Sequence, residues 1–306
     1  MTRRLLLGSC PDSWGVWFAD DPRQPPWERF LDELSAVGYE WLELGPYGYL
    51  PTDPARLRDE LARRGLRVAA GSMHGESGLH REGDWAAIEA KTRKVAQLTA
   101  EVGGRHVVFV PVPGYRDDLT GAYTEPAELD DAAWHTMVRA ADRLGRILAE
   151  DYGVRLQFHP HADSHVETQP QVERFLADTD PEFVSLCLDT GHVAYRRGDS
   201  VELIRRHPGR VGYVHVKQMD PAVVGKAEEQ DLAFGQAVAM GVSCEPPGGV
   251  PDLPSVAAAL SEVEGLAAEL FVVVEQDLYP VDVDVPGPVA QRTRAYLRGI
   301  GIGARR

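Results

Sequence analysis

Four short segments concentrate the side chains that move protons or hold cations. His159-Pro-His161-Ala-Asp163-Ser-His165-Val-Glu167 is followed by Asp189-Thr-Gly-His192, by His215-Val-Lys217 and by Glu275-Gln-Asp277. Earlier in the chain, Asp12 and Trp14 follow a run of leucines, Glu43 ends a second apolar run, and His74 and Glu76 follow a third. Each group comes directly after apolar residues, so it belongs at a core boundary rather than on an open surface. Carboxylates gathered in one cleft repel unless a cation lies between them. Several carboxylates with several imidazoles are therefore read as a divalent-metal centre, whose mixed O and N donors suit Mn²⁺ or Co²⁺ first, then Fe²⁺, Zn²⁺ or Mg²⁺, and not Ca²⁺. Such a centre suits proton abstraction beside a carbonyl: the ion stabilises the enolate, and a histidine moves the proton near neutral pH.

Each residue alone has an ordinary explanation. Asp189 in Asp-Thr-Gly-His is placed to cap the next helix. His215 reads equally as a hydrogen-bonded core histidine, and His159 and His161 as partners of backbone carbonyls. Glu275, behind three valines, is harder to explain that way, because an unpaired buried carboxylate costs several kcal/mol. Lys217 follows His215 by two positions, so strand alternation sets both on one face. Trp14, Trp17 and Tyr47 offer flat walls for a ring, or simply pack at a rim.

The elements that must position these groups repeat from end to end. Strand-length apolar runs occur at 4–8, 41–44, 67–70, 106–110, 154–158, 183–188, 211–216 and 270–274. They do not alternate with polar residues, as expected of strands covered on both faces. Between them the spacing predicts helices at 27–37, 53–64, 84–102, 127–152, 169–177, 200–207, 253–260 and 286–299, several closed by glycine. The stretch 220–252 is the longest irregular one, with 223–240 able to form a helix. Eight βα units favour a closed (β/α)8 TIM barrel over an open sheet, and neither GxGxxG after the first strand nor GxxxxGK[ST] is present. No low-complexity linker divides residues 1–306, so one domain is expected. In such a barrel the catalytic groups stand at the C-terminal strand ends, where the four segments fall.

Composition narrows the partners. The 306 residues are 43% hydrophobic and 26% charged, which excludes a disordered or collagen-like chain. Lys and Arg number 32 against 47 Asp and Glu, a net charge of −15, so nucleic acid and anionic membranes are not expected partners. No apolar run approaches the ~20 residues of a membrane span, and the N-terminal leucines read as a strand, not a signal peptide. Three scattered cysteines give no disulfide framework, which makes the cytoplasm the default compartment. A homo-oligomer remains open. No phosphate loop is evident, so a non-phosphorylated polyol, ketose or keto-inositol is the expected substrate.

With these motifs the sequence resembles the xylose isomerase-like barrel superfamily of sugar isomerases, epimerases and dehydratases. The resemblance rests on 159–167, on Ser185-Leu-Cys-Leu-Asp189-Thr-Gly-His192, on Val211-Gly-Tyr-Val-His215-Val-Lys217 and on Val272-Val-Val-Glu275-Gln. The histidine-rich turn and the later Pro-Pro-Gly-Gly-Val-Pro-Asp-Leu stretch look most like the inosose dehydratase branch. The resemblance implies a metal held by two acids, an Asp and a His. Carried over by motif, these are Asp189, His215, Glu275 and, as fourth ligand, Glu167, with His159 the competitor because it occupies the common carboxylate position. It further implies loss of water from a keto-inositol or keto-sugar, with His161 and His159 as base and acid, His192 next, and Lys217 holding an enolate oxygen or hydroxyl. Glu43, His74 and Glu76, with Trp14, would bind the substrate. Isomerisation or epimerisation, cleavage of a 3-keto-glycoside, and a barrel that only binds a sugar or a partner are the alternatives.

Overall fold

The apolar runs become strands and the amphipathic segments helices throughout the computed structural model, which describes residues 3–74 and 78–304. In chain order these are β1 (Arg4–Ser9), α1 (Trp27–Val37), β2 (Trp41–Glu43), α2 (Pro54–Arg64), β3 (Arg67–His74), α3 (Trp85–Glu101), β4 (His106–Val110), α4 (Asp131–Tyr152), β5 (Arg155–Phe158), α5 (Gln169–Asp178) and β6 (Val184–Asp189). There follow α6 (Thr190–Tyr195), α7 (Ser200–Arg206), β7 (Val211–Val216), β8 (Gln218–Met219), α8 (Pro221–Glu229), α9 (Phe234–Ala239), β9 (Ser243–Cys244), α10 (Leu253–Glu262), β10 (Glu269–Val274) and α11 (Pro286–Gly299). The barrel closes in the order β1-β10-β7-β6-β5-β4-β3-β2, every neighbour parallel, and β8 and β9 form a separate antiparallel pair. The expected closed α/β barrel is the observed one.

Boundaries move where local chemistry overrides periodicity. The helix expected from 127 starts at Asp131, because the Asp130 carboxylate accepts the Ala133 N–H at 2.8 Å and fixes the N-terminus there. The single helix read across 223–240 is two, α8 and α9. Asp231 between them has φ +50°, a left-handed conformation that cannot continue a helix. The short α6, absent from the periodicity, begins directly after β6, where Asp189 Oδ1 accepts the His192 N–H at 2.8 Å.

Two layers of core serve different ends. The larger packs helices on the outside of the barrel, through residues such as Leu34, Val107, Leu144, Phe158 and Val272. The smaller fills the barrel interior with Leu6, Trp41, Val108, Cys187, Tyr213, Phe271 and Val273. Strand alternation carries the interior face onward to ionisable groups: Trp41 to Glu43, Cys187 to Asp189, Tyr213 to His215, and Phe271 through Val273 to Glu275. The apolar floor thus sets the height at which the charged layer begins. Among the described residues, no helix is long and apolar enough to cross a membrane.

Candidate active site

His215, on β7, lies at the centre of the charged layer and is fully buried. Its Nε2–H donates to Glu43 Oε1 at 2.5 Å, and Glu43 Oε2 accepts from the Ser72 hydroxyl at 3.0 Å. Its Nδ1 faces Glu275 Oε2 at 2.8 Å and Asp189 Oδ2 at 3.7 Å. With one ring proton committed to Glu43, Nδ1 faces two carboxylates, an arrangement that requires a second ring proton or a metal ion between them. A ligating histidine oriented by a carboxylate on its far nitrogen is the usual construction of a metal centre.

His159 approaches the same carboxylates from β5. Its Nε2 lies 3.4 Å from both Asp189 Oδ2 and Glu275 Oε2, longer than a good charge-assisted hydrogen bond, and its buried Nδ1 has no partner. Lys217, also fully buried, places Nζ 2.8 Å from Asp277, 2.9 Å from Glu275 and 3.2 Å from Asp189. Burial alone would depress this amine, but Asp189, Asp277 and Glu275 hold it protonated. Asp189, Glu275 and Asp277 thus gather on one buried ammonium, with Asp12 and Glu43 buried in the same layer. Donor atoms of His159, Asp189, His192 and Glu275 lie within 4.8 Å of one another. The donor set and its charge deficit fit a divalent ion.

Beside this centre, the turn after β5 gives two more imidazoles distinct roles. His161 Nδ1 donates to the Ala162 carbonyl at 2.7 Å, leaving a lone pair on Nε2. His192 Nδ1 lies 3.3 Å from the Ala162 N–H, which donates to it, and its Nε2 lies 3.4 Å from the Lys217 ammonium. The rings are 4.0 Å apart, with Phe234 of α9 against both. Burial pushes both well below the usual imidazole range, and neighbouring His159, His161 and Lys217 reinforce the shift, so both are neutral at pH 7. His161 lines the open cleft while His192 is buried behind it. The cleft holds about 850 Å³ and is also lined by Trp17, Tyr47, His74, Asp118, Glu275 and Asp277. Gly191 completes the wall from behind, because a Cβ there would run into the Lys217 stem.

Several expectations from the sequence change. Glu167 does not join the carboxylate layer. It pairs with Arg196 at 2.6 Å, accepts from the Tyr115 hydroxyl at 2.9 Å and takes the Asp163 N–H at 2.8 Å. Asp163 in turn binds Arg196 at 2.8 Å and the Phe234 N–H at 2.6 Å, so Glu167 braces the histidine turn against α6 and α9. His159, the competitor, is the one that approaches Asp189 and Glu275. Glu43 is buried behind His215 and orients that ring instead of meeting a substrate. Trp14 is fully buried, donates to Glu33 at 2.8 Å and packs edge-on against Phe30, so it is core and not a wall of the cleft. Trp17, stacked on Tyr279 at 5.1 Å, takes that place. His74 does line the cleft, and burial lowers it to about 4. Glu76 lies outside the described residues. Asp277 was missed as a site residue, although its offset of two from Glu275 marked it by strand periodicity; burial pushes it up to about 6 against the opposing pull of Lys217.

Comparison with known proteins agrees with this geometry. The model of the xylose isomerase-like TIM barrel family matches residues 31–275. The chain is 34% identical over 267 residues to the rhizopine catabolism protein MocC of Rhizobium meliloti, covering 86% of this chain and 80% of that one. It is 30% identical over 301 residues to the inosose dehydratase of Salmonella typhimurium, covering 96% of each. The solved structure of the IolI protein with a bound zinc atom superposes with a TM-score of 0.69 at 16% identity, covering 96% of this chain and 98% of that one. With a family match that runs from α1 to Glu275 and takes in all four motifs, the chain belongs to the xylose isomerase-like TIM barrel family.

Proposed function

We propose that this protein is a divalent-metal-dependent lyase that removes the proton beside a carbonyl and eliminates water from a keto-inositol or closely related keto-sugar. The observation that carries the reading is the pairing of the buried carboxylate–imidazole layer with His161, which lines the cleft and keeps a lone pair on Nε2. Inosose dehydratase relatives that align over nearly the whole chain support the reaction class. Asp189, His215, Glu275 and His159 would hold the ion, with Mn²⁺, Co²⁺ or Zn²⁺ suited to these donors. The ion supplies Lewis-acid polarisation of the substrate carbonyl.

The chain's own groups then divide the work. His161 takes the α-proton on Nε2. Its imidazolium, disfavoured by burial and by neighbouring cations, is a strong acid and passes that proton to the departing hydroxyl. One C–H and one C–O bond break, a C=C bond forms beside the carbonyl, and water leaves, so the step needs no oxidant. Lys217 and Asp277 orient hydroxyls of the ring, and Trp17 with Tyr47 cover its apolar face. The test is incubation of metal-loaded protein with a keto-inositol in D₂O, followed by NMR. Loss of water is expected. Deuterium uptake without water loss would make the protein an isomerase or epimerase, and neither would make it a binding barrel.

A further inference from the structure

A second group of metal-type donors lies outside the charged layer. His80 follows β3, Glu125 sits in the long connection from β4 to α4, and His165 belongs to the turn after β5. His80 Nε2 is 3.0 Å from Glu125 Oε2, and His165 Nε2 is 3.1 Å from Glu125 Oε1. The three donor atoms lie within 4.8 Å of one another. The side chains are 7%, 17% and 6% exposed for His80, Glu125 and His165, so this is no loose surface pairing.

The ring of His165 decides what the cluster wants. Its Nδ1 is 3.0 Å from the Ala127 carbonyl, which only accepts, so Nδ1 carries the proton. The Nε2 of the neutral ring then aims a lone pair at a carboxylate oxygen. A histidine whose far N–H is fixed by a backbone carbonyl is set to ligate through its other nitrogen. His80 has Glu125 as its hydrogen-bonding partner and its Nδ1 is unpartnered. Arg81 gives Glu125 only a long ion pair at 3.9 Å, beyond hydrogen-bond range, and pairs more closely with Asp84 at 3.1 Å. A cavity of about 20 Å³ is lined by His80, Glu125 and His165 together with Gly78, Pro113 and Gly114. That is room for one ion or one water. Donors around a tetrahedral ion at ~2.0–2.1 Å stand roughly 3.3 Å apart, close to the spacings seen.

We propose that His80, Glu125 and His165 form a second divalent-metal site, of the Zn²⁺ or Co²⁺ type, with water as fourth ligand. The ion ties together the loops that follow β3, β4 and β5 at the catalytic mouth. His165 shares its turn with His161, whose N–H donates to the Val166 carbonyl at 3.2 Å, so the site steadies the base without touching substrate.

The experiment strips the full-length protein with a chelator and titrates it with Co²⁺, following absorbance and bound-metal stoichiometry. Wild type is expected to bind two equivalents. His165→Gln and His80→Gln should bind one, and Asp189→Asn should bind one while keeping the tetrahedral absorption of the second site. Glu125→Gln, with circular dichroism, controls for misfolding and should likewise lose one equivalent. If the His80, His165 and folded Glu125 variants bind as much Co²⁺ as wild type, the second site does not exist. One equivalent in wild type that survives Asp189→Asn and vanishes in His165→Gln would sink the metal assignment of the proposed active site while leaving this one standing. One equivalent that shows the opposite pattern overturns the second site alone.

Discussion

The two mouths of the barrel are built by the same strands and are chemically opposite. At the C-terminal mouth, Asp12, Glu43, Asp189, Glu275 and Asp277 are buried around Lys217 and the histidines. At the N-terminal mouth, a cleft of about 640 Å³ is lined by Arg4, Arg58, Arg67 and Arg105 with Glu269. There the charges sit in water: Arg4 pairs with Glu269, the Arg67 guanidinium lies over Trp41 at 4.1 Å, and that of Arg105 over Phe271 at 5.4 Å. Charges at the wet mouth cost little and contribute little. At the other mouth each desolvated carboxylate costs several kcal/mol unless compensated, and apolar residues of similar size would be easier to accommodate. Retaining five of them implies a chemical use, whereas the arginine mouth calls for none.

The sharpest test of that contrast is Asp189→Asn. Asparagine keeps the helix cap on His192, so the fold should survive, but a charged donor is gone. Metal retention in the charged layer should fail, leaving only the equivalent held by His80, Glu125 and His165, and turnover should fall by about 10³–10⁴-fold, the loss of several kcal/mol of transition-state stabilisation. Full metal occupancy by elemental analysis would remove Asp189 from the ligand set. Next in size, His161→Ala should keep metal and fold and lose about 10²–10⁴-fold in kcat together with α-proton exchange. Near-normal exchange would pass the role of base to another group.

At the opposite mouth the effects should be on stability alone. His106, which opens β4, accepts from Gln157 at 2.9 Å, and burial, reinforced by Arg105 and Arg155, lowers it to about 4. Its folded pKa is below the unfolded value of about 6.5. The unfolded chain therefore gains a proton first as pH falls. The neutral ring's contribution is complete above about 6.5 and is lost towards 4, by up to about 3 kcal/mol. His106→Asn should flatten the stability difference between pH 7 and pH 5 measured by denaturant unfolding. An unchanged slope would mean that the ring is protonated in the fold. Smallest of all, Arg67→Ala should cost under ~1 kcal/mol through its exposed stacking on Trp41 and leave kcat/KM unchanged. A large activity loss would show that the two mouths are coupled.

The same physics explains what could be read in advance. The ordinary reading of Asp189 as a cap holds, since one oxygen caps α6, and it leaves the other free to face Lys217 and His159. Trp14 went the ordinary way because a 3₁₀ turn at Pro11–Trp14 swings its ring beneath α1. The place of Glu167 outside the carboxylate layer was not legible because its partner, Arg196, stands 29 residues on, at the end of a helix that periodicity did not reveal.

The sequence by itself determined the strands, their inward-facing period of two and the ionisable residue at the tip of nearly every one, because backbone geometry ties side-chain direction to position in the strand. It thereby determined the barrel and most of the charged layer. Only the tertiary structure decided which group each histidine nitrogen faces, that His159 and not Glu167 reaches Asp189 and Glu275, and that Glu43 stands behind His215. Those outcomes depend on turns such as Asp163 at φ +62° and on contacts between residues far apart in the chain, for which local sequence exerts no restraint.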